Sequence, residues 1–239
     1  MDLDKILRFF IPPSRNSHPL IVENRQHFRN FSKNLPLHDY EMVVLDTELT
    51  GLDSDKNEII AMGGVRIRNM RICSNETFYA LVKPDNQLHS ASTVLHRITP
   101  QELLKARTLE DVLPEFIKFC GGAVLVGHYL RLDLEFINKA AVKLFGGPIR
   151  TPYLDTLRLA MAYNESKHGH YYDHYNISGA YTLSALAKEF NLPLFTEHNA
   201  IQDAMQTAYL FLFLAKKMSD HGFRTLHDFL HAGRNWKIL

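Results

Sequence analysis

The segment EMVVLDTELTGL, Glu41 to Leu52, restricts the choice of fold more than any other stretch of the chain. It begins as a buried strand, Val43 to Leu45, and then runs into two carboxylates, Asp46 and Glu48, separated only by Thr47. A Thr50-Gly51 turn follows. Residues i and i+2 of a strand point to one face, so the two acids converge. Left alone they repel, and one of them takes up a proton. A divalent cation removes that conflict, and hard oxygen ligands suit magnesium or manganese. The plainer alternative has one acid facing solvent while the other caps the turn. For an isolated Asp-x-Glu that alternative is the commoner one, so acids elsewhere in the chain must decide.

Two further segments supply them. In VLVGHYLRLDLEF, Asp133 follows a buried strand and opens a helix, where an acid also complements the helix dipole. In EHNAIQDAMQTAYLF, His198 precedes Asp203 by five positions. Five helical steps turn through about 500°, so the two cannot share a helix face. With His198 on the loop before the helix, both can face one site. His198 is one of thirteen histidines, and an ordinary loop histidine is the competing reading.

The rest of the chain supplies a framework for these residues. EMVVLDT, NEIIAMGGVRI and CSNETFYALV read as strands, and AVLVGH as a short buried one. Thr99, Pro100 and Glu102 form a capping box that starts a helix. Thr108 opens another, with Leu109, Val112, Leu113, Phe116, Ile117 and Cys120 along one apolar face. Later helices fit Leu132 to Phe145, Thr156 to Tyr163, Thr182 to Phe190 and Ile201 to Lys217. Strands first, then strands alternating with helices, give an α/β fold with a central mixed sheet flanked by helices. Residues 1–38, with Pro12-Pro13 and no sustained periodicity, read as an extension, helical around Leu3 to Phe10, that drapes over the domain or meets a partner. Residues 39–217 form the domain, and 218–239 a helical tail.

Composition excludes several classes. At 239 residues one sizeable core is expected. A net charge of +1 provides no overall field for polyanions and leaves any such binding to local patches. Cys73 and Cys120 suggest neither a disulfide framework nor a metal site, so a reducing, cytoplasmic setting is expected. The most apolar run, Ala208 to Ala215, is far short of the ~20 residues that span a bilayer, and no membrane partner is expected. MDLDKILRFF lacks a signal-peptide pattern.

DTELTGL, GHYLRLD and HNAIQDA, in that order, resemble the three motifs of the DEDDh 3′→5′ exonucleases. That family includes the proofreading subunit of bacterial replicative polymerases and related DNases and RNases. LHRITPQEL is similar to the family's His-x-Ile-Thr stretch, and LDTLRLA and TLSALAKEFNLPL resemble what lies between its second and third motifs. The resemblance covers about Tyr40 to Lys217. It implies an RNase H-like fold, with Asp46, Glu48, Asp133 and Asp203 as ligands of two magnesium or manganese ions and His198 as general base. It also implies that Thr47, Leu49, Thr50, Gly51 and Leu52 floor the terminal nucleotide, with amides near Leu49 and Thr50 on the 3′-hydroxyl and Leu52 against a base. His128 and Tyr129 complete the substrate contacts.

This chain departs from the family pattern at Tyr129, where asparagine is usual, and at Leu49, often threonine. Residues Asn164 to Ala180 look inserted. His168, His170, Asp173 and His174 offer zinc ligands there, but a solvated, aromatic-rich loop beside the cleft is the favoured reading. The expected activity is hydrolysis of terminal phosphodiesters of single-stranded or frayed DNA to nucleoside 5′-monophosphates, in proofreading or repair. The expected partners are DNA or RNA 3′ ends and a DNA polymerase subunit. An exoribonuclease of the same family, or a catalytically dead nucleic-acid or polymerase-binding module, are the alternatives; the intact acid set argues against the latter. Contacts to the 2′-hydroxyl separate DNA from RNA, and the sequence does not reveal them.

Overall fold

Strand β1 (Met42–Leu49) divides the protein into two cores. In the computed structural model, which describes residues 17–85, 96–168 and 177–232, alternate residues of β1 go to opposite sides of the sheet. Met42 and Val44 join one apolar cluster, and Val43 and Leu45 the other. Both sides are covered, which is why the strand is a continuous apolar run.

The sheet has five strands in the order β3-β2-β1-β4-β5, with β2 at Ile59–Arg68, β3 at Arg71–Leu81, β4 at Val124–Gly127 and β5 at Tyr153–Asp155. The pairs β1–β2 and β2–β3 are antiparallel, whereas β1–β4 and β4–β5 are parallel. The expected mixed α/β sheet is therefore present. Strand β5 was not among the expected strands, because three residues are too few to display alternation.

The helices are α1 (Pro19–Phe28), α2 (Pro100–Leu104), α3 (Leu109–Cys120), α4 (Arg131–Phe145), α5 (Thr156–His168), α6 (Ile177–Ala180), α7 (Leu183–Glu189), α8 (Ala200–Asp220) and α9 (Leu226–Ala232). The Thr99 capping box and the Thr108 cap form as read, and Thr182 caps α7. Helices α1, α3 and α4 share the core of Val43 and Leu45; α5, α8 and α9 share that of Met42 and Val44.

Two segments differ from expectation. Helix α1 lies where no periodicity is visible, since it buries only Leu20 and Ile21 and is anchored by a polar residue. Asn24 Nδ2 donates to Thr151 Oγ1 at 2.9 Å, and its Oδ1 accepts from the Arg150 amide at 2.7 Å. The helix expected at Leu3 to Phe10 lies outside the described residues. Helix α5 continues beyond Tyr163 into the segment read as inserted, because Asn164 is buried and pairs with the Tyr181 hydroxyl rather than ending the helix. His170, Asp173 and His174 lie outside the described residues.

Candidate active site

Even-numbered positions of β1 face α8, so Asp46 and Glu48 continue the row begun by Met42 and Val44. Helix α8 brings Asp203 to them from its first turn. One carboxylate oxygen from each of Asp46, Glu48 and Asp203 lies within 4.8 Å of the others. Close approach of α8 to the sheet depends on Gly63, which pairs with Asp46 across β1 and β2. A Cβ at that position would stand 2.3 Å from the backbone of Ala200, the first residue of α8.

Odd-numbered Thr47 points to the other side, where α4 begins. There Asp133 Oδ1 accepts from the Thr47 amide at 3.0 Å and from Thr47 Oγ1 at 2.6 Å. Asp133 is thus close to Asp46 but is not one of the three acids grouped by distance. Its placement joins α4 to the end of β1.

Electrostatics follow from this crowding. Burial, then Asp133, Asp203 and Glu48, push the Asp46 carboxyl well above the usual carboxylate range. Burial lifts Asp133 to about 7, although the Thr47 hydrogen bonds pull the other way. Burial also lifts Asp203 to about 6, against the lowering effect of its hydrogen bond from the Asn199 amide. Glu48 is buried, and its Oε1 has no hydrogen-bond partner among the described residues. Three crowded acids with raised proton affinity, beside a buried glutamate whose Oε1 is unsatisfied, are a donor set suited to a hard divalent cation.

His96 was quoted within the His-x-Ile-Thr stretch but given no role, and the structure places it in the site. Its Nδ1 is in direct contact with Glu48 Oε2. Burial opposes charge on this ring, but Glu48 outweighs it and the His96 pKa is raised. The His198 ring lies 6.2 Å from that of His96 between centroids. His198 is exposed on the loop before α8, with φ of 61°, and Asn199 rather than His198 caps the helix. The loop position that lets His198 and Asp203 face one site is therefore the one observed.

Other expected substrate contacts divide. Leu52 is 78% exposed on a loop fastened to α4, where Ser54 Oγ donates to Glu135 at 2.6 Å and Lys139 reaches Asp55 at 3.1 Å. Gly51 packs so closely on the Asn57 side chain that an added Cβ would lie 2.6 Å from it. Leu49 is buried at a bulge in the β1–β2 ladder. The Thr50 amide, expected near a 3′-hydroxyl, instead donates to the Glu58 carbonyl at 2.9 Å. The His128 ring is held within the protein: Nδ1 pairs with Thr156 Oγ1 at 2.9 Å and Nε2 donates to the Tyr181 carbonyl at 3.0 Å. With both nitrogens engaged and its pKa lowered to about 4 by burial, the ring is a neutral brace between β4 and α5.

Tyr129 keeps its side chain 46% exposed with a positive φ of 55°, an uncommon conformation for a bulky residue. Asp155, which sequence reasoning overlooked, holds it there. Its Oδ1 accepts from the Tyr129 amide at 2.9 Å and the Leu157 amide at 3.1 Å. The signal was LDTLRLA, noted as family-like without a role for its acid.

A family model described as exonuclease, RNase_T, matches residues 43–211. DNA polymerase III subunit epsilon of Aquifex aeolicus is 33% identical over 182 residues, covering 76% of this chain and 84% of that protein. The PolC-type DNA polymerase III of Thermotoga maritima is 32% identical over 209 residues, 87% of this chain. The chain spans only 14% of the length of that PolC-type relative. Among solved structures, E. coli exonuclease I in complex with a dT13 oligonucleotide aligns at TM-score 0.65 and 16% identity, over 76% of this chain and 42% of that one. Exonuclease X in complex with 5′ overhanging duplex DNA aligns at TM-score 0.58 and 21% identity, over 80% and 99%. At those identities the likeness is one of fold.

Proposed function

The chain belongs to the RNase_T exonuclease family, and on that premise we propose a metal-dependent 3′→5′ exonuclease that trims single-stranded or frayed DNA ends to nucleoside 5′-monophosphates. Its fold is the RNase H-like one shared with exonuclease I and exonuclease X. The observation that carries the proposal is the convergence of Asp46, Glu48 and Asp203 within 4.8 Å. The similarity to polymerase III subunit epsilon and to PolC-type polymerases supports a place in replication, as a proofreading activity beside a DNA polymerase. The catalytic unit in this reading is residues 39–217, flanked by the 1–38 extension and the 218–239 tail.

In this mechanism Asp46, Glu48, Asp203 and neighbouring Asp133 would hold divalent cations. Divalent cations there would supply Lewis acidity for water activation and for the departing 3′ oxygen. His96 steadies the Glu48 carboxylate through Nδ1. His198, exposed above the acids, accepts the proton of the attacking water at a ring nitrogen. Leu52 and Tyr129, both exposed on braced loops, rest against the terminal base, a contact tolerant of sequence.

A 5′-labelled single-stranded DNA should shorten stepwise from its 3′ end in magnesium or manganese, and excess chelator should stop this. Asp203→Ala should lose about a hundred- to a thousandfold in rate while keeping its fold, the size of effect seen when such charge-stabilising groups are removed. Full hydrolysis in chelator, or by the variant, would overturn the metal assignment. RNA of the same sequence provides the companion substrate, and faster loss of RNA would make the enzyme an exoribonuclease.

A further inference from the structure

A groove of about 590 Å³ runs along the outer edge of β5, between the segment that follows α1 and helix α9. Arg29, Lys33, Arg150 and Arg158 line it, and the one acid among its described lining residues, Asp155, accepts from the Tyr129 and Leu157 amides at Oδ1 and is faced by the Arg158 charge. Arg29, Lys33 and Arg150 are exposed. Close to Arg150 the positive charge is further concentrated by Arg25, whose guanidinium nitrogens are buried with no hydrogen-bond partner among the described residues. A protein with a net charge of +1 thus gathers five cations along one sheet edge. A low-dielectric cleft focuses such a field.

The wall of this groove is an open strand. Among the described residues, strand β5 pairs only with β4 and ends the sheet. The Leu125 amide donates to the Pro152 carbonyl, so the backbone of Pro152 faces β4 and, by alternation, that of Tyr153 faces the groove. Asn24 covers the edge just before, at Arg150 and Thr151, and leaves Tyr153 to the groove. Position also distinguishes the outer end of this cleft, around Arg150 to Pro152, from the acid site, which its inner end at Asp155 adjoins. Pro152 stands level with the start of the parallel strand β1, whereas Asp46 and Glu48 sit at its far end, about 13 Å on at the rise of a strand.

We propose that this groove receives an acidic, extended segment of a partner protein, which adds a strand to the edge of β5 while its carboxylates meet the exposed Arg29 and Lys33 and the positive field around Arg150. Strand addition supplies main-chain hydrogen bonds, and the flanking cations supply selectivity for acidic side chains. A nucleic-acid strand offers the charge but not the regular peptide spacing of N–H and C=O groups that an open strand edge matches.

The test uses the full chain and a fluorescein-labelled twelve-residue peptide of alternating Glu and Thr, followed by fluorescence anisotropy. Saturable binding is expected, with none for the Lys/Thr counterpart, and slowed hydrogen exchange at the Tyr153 amide. The exposed double reversal Arg29→Glu with Lys33→Glu should weaken binding at least about tenfold, and Arg150→Glu should do the same. Hydrolysis of a short DNA strand should stay unchanged in the double variant. Peptide binding that is absent, that ignores charge sign, or that survives both reversals would overturn the proposal. So would a single-stranded 20-mer that binds in a reversal-sensitive way where the peptide does not, which would make the groove a nucleic-acid site.

Discussion

Asp133 shows how much a single residue's placement matters. Its carboxyl is raised to about 7 by burial, while the unfolded chain leaves it near the ordinary value of 3.8. A carboxyl raised on folding stabilises fully below the unfolded pKa and loses that contribution as pH rises through the folded one. Asp133→Asn keeps an Oδ1 acceptor for the Thr47 amide and hydroxyl and carries no charge. In chelator, parent and variant should melt together below pH 3.8, and the variant should melt progressively higher as pH rises from there to 8. His128 works in the opposite direction: its lowered pKa of about 4 means stability lost as pH falls from its ordinary 6.5. Because both proteins share His128, their difference reports Asp133 together with Asp46, which it crowds. A variant that is less stable at pH 8 would assign Asp133 to scaffolding alone.

Among elements, helix α8 matters most, because the site exists only where its first turn meets β1. Gly63 sets that distance, since a Cβ there would strike Ala200 backbone, which cannot swing aside. Gly63→Ala should force α8 outward, costing about 1–3 kcal/mol as an overpacked contact. It should also lower DNA hydrolysis by at least about tenfold, since catalytic groups tolerate displacements of well under an ångström or so. Gly64 is the control, because its added Cβ would meet the Phe119 side chain at 3.0 Å on the other face. Gly64→Ala should cost stability but keep the response to manganese. Equal activity losses in both variants would mean that general destabilisation, not the α8 contact, is responsible.

For the whole molecule, cation binding and folding are one equilibrium. The acids come from β1, α4 and α8, which only the folded chain brings together. A ligand that binds only the folded form raises stability by about 1.4 kcal/mol per tenfold in concentration once it is in excess. Manganese at pH 8 should therefore raise the melting temperature by about 3–5 °C per decade. Asp203, at about 6, and Asp133, at about 7, retain protons in acid, so the increment should shrink as pH falls from 8 to 5. Differential scanning fluorimetry over a manganese series at several pH values checks this, and an increment independent of pH would place the cation elsewhere.

Local order was legible in the chain because it is written in local periods. The two-residue alternation of β1 put Asp46 and Glu48 on one side, and the five-residue offset of His198 from Asp203 required His198 to precede its helix. Capping chemistry at Thr99 and the helix start at Thr108 were readable and the structure repeats them. Partners far apart in sequence were not legible. That Asp133 would bond Thr47, 86 positions away, or that His96 would sit on Glu48, depends on where helices and loops come to rest over the sheet. Helix α1 escaped notice for the same reason, since its anchor is a bond from Asn24 to Thr151 rather than an apolar stripe. Periodicity fixes which face a side chain takes, but only packing against distant elements decides what that side chain meets.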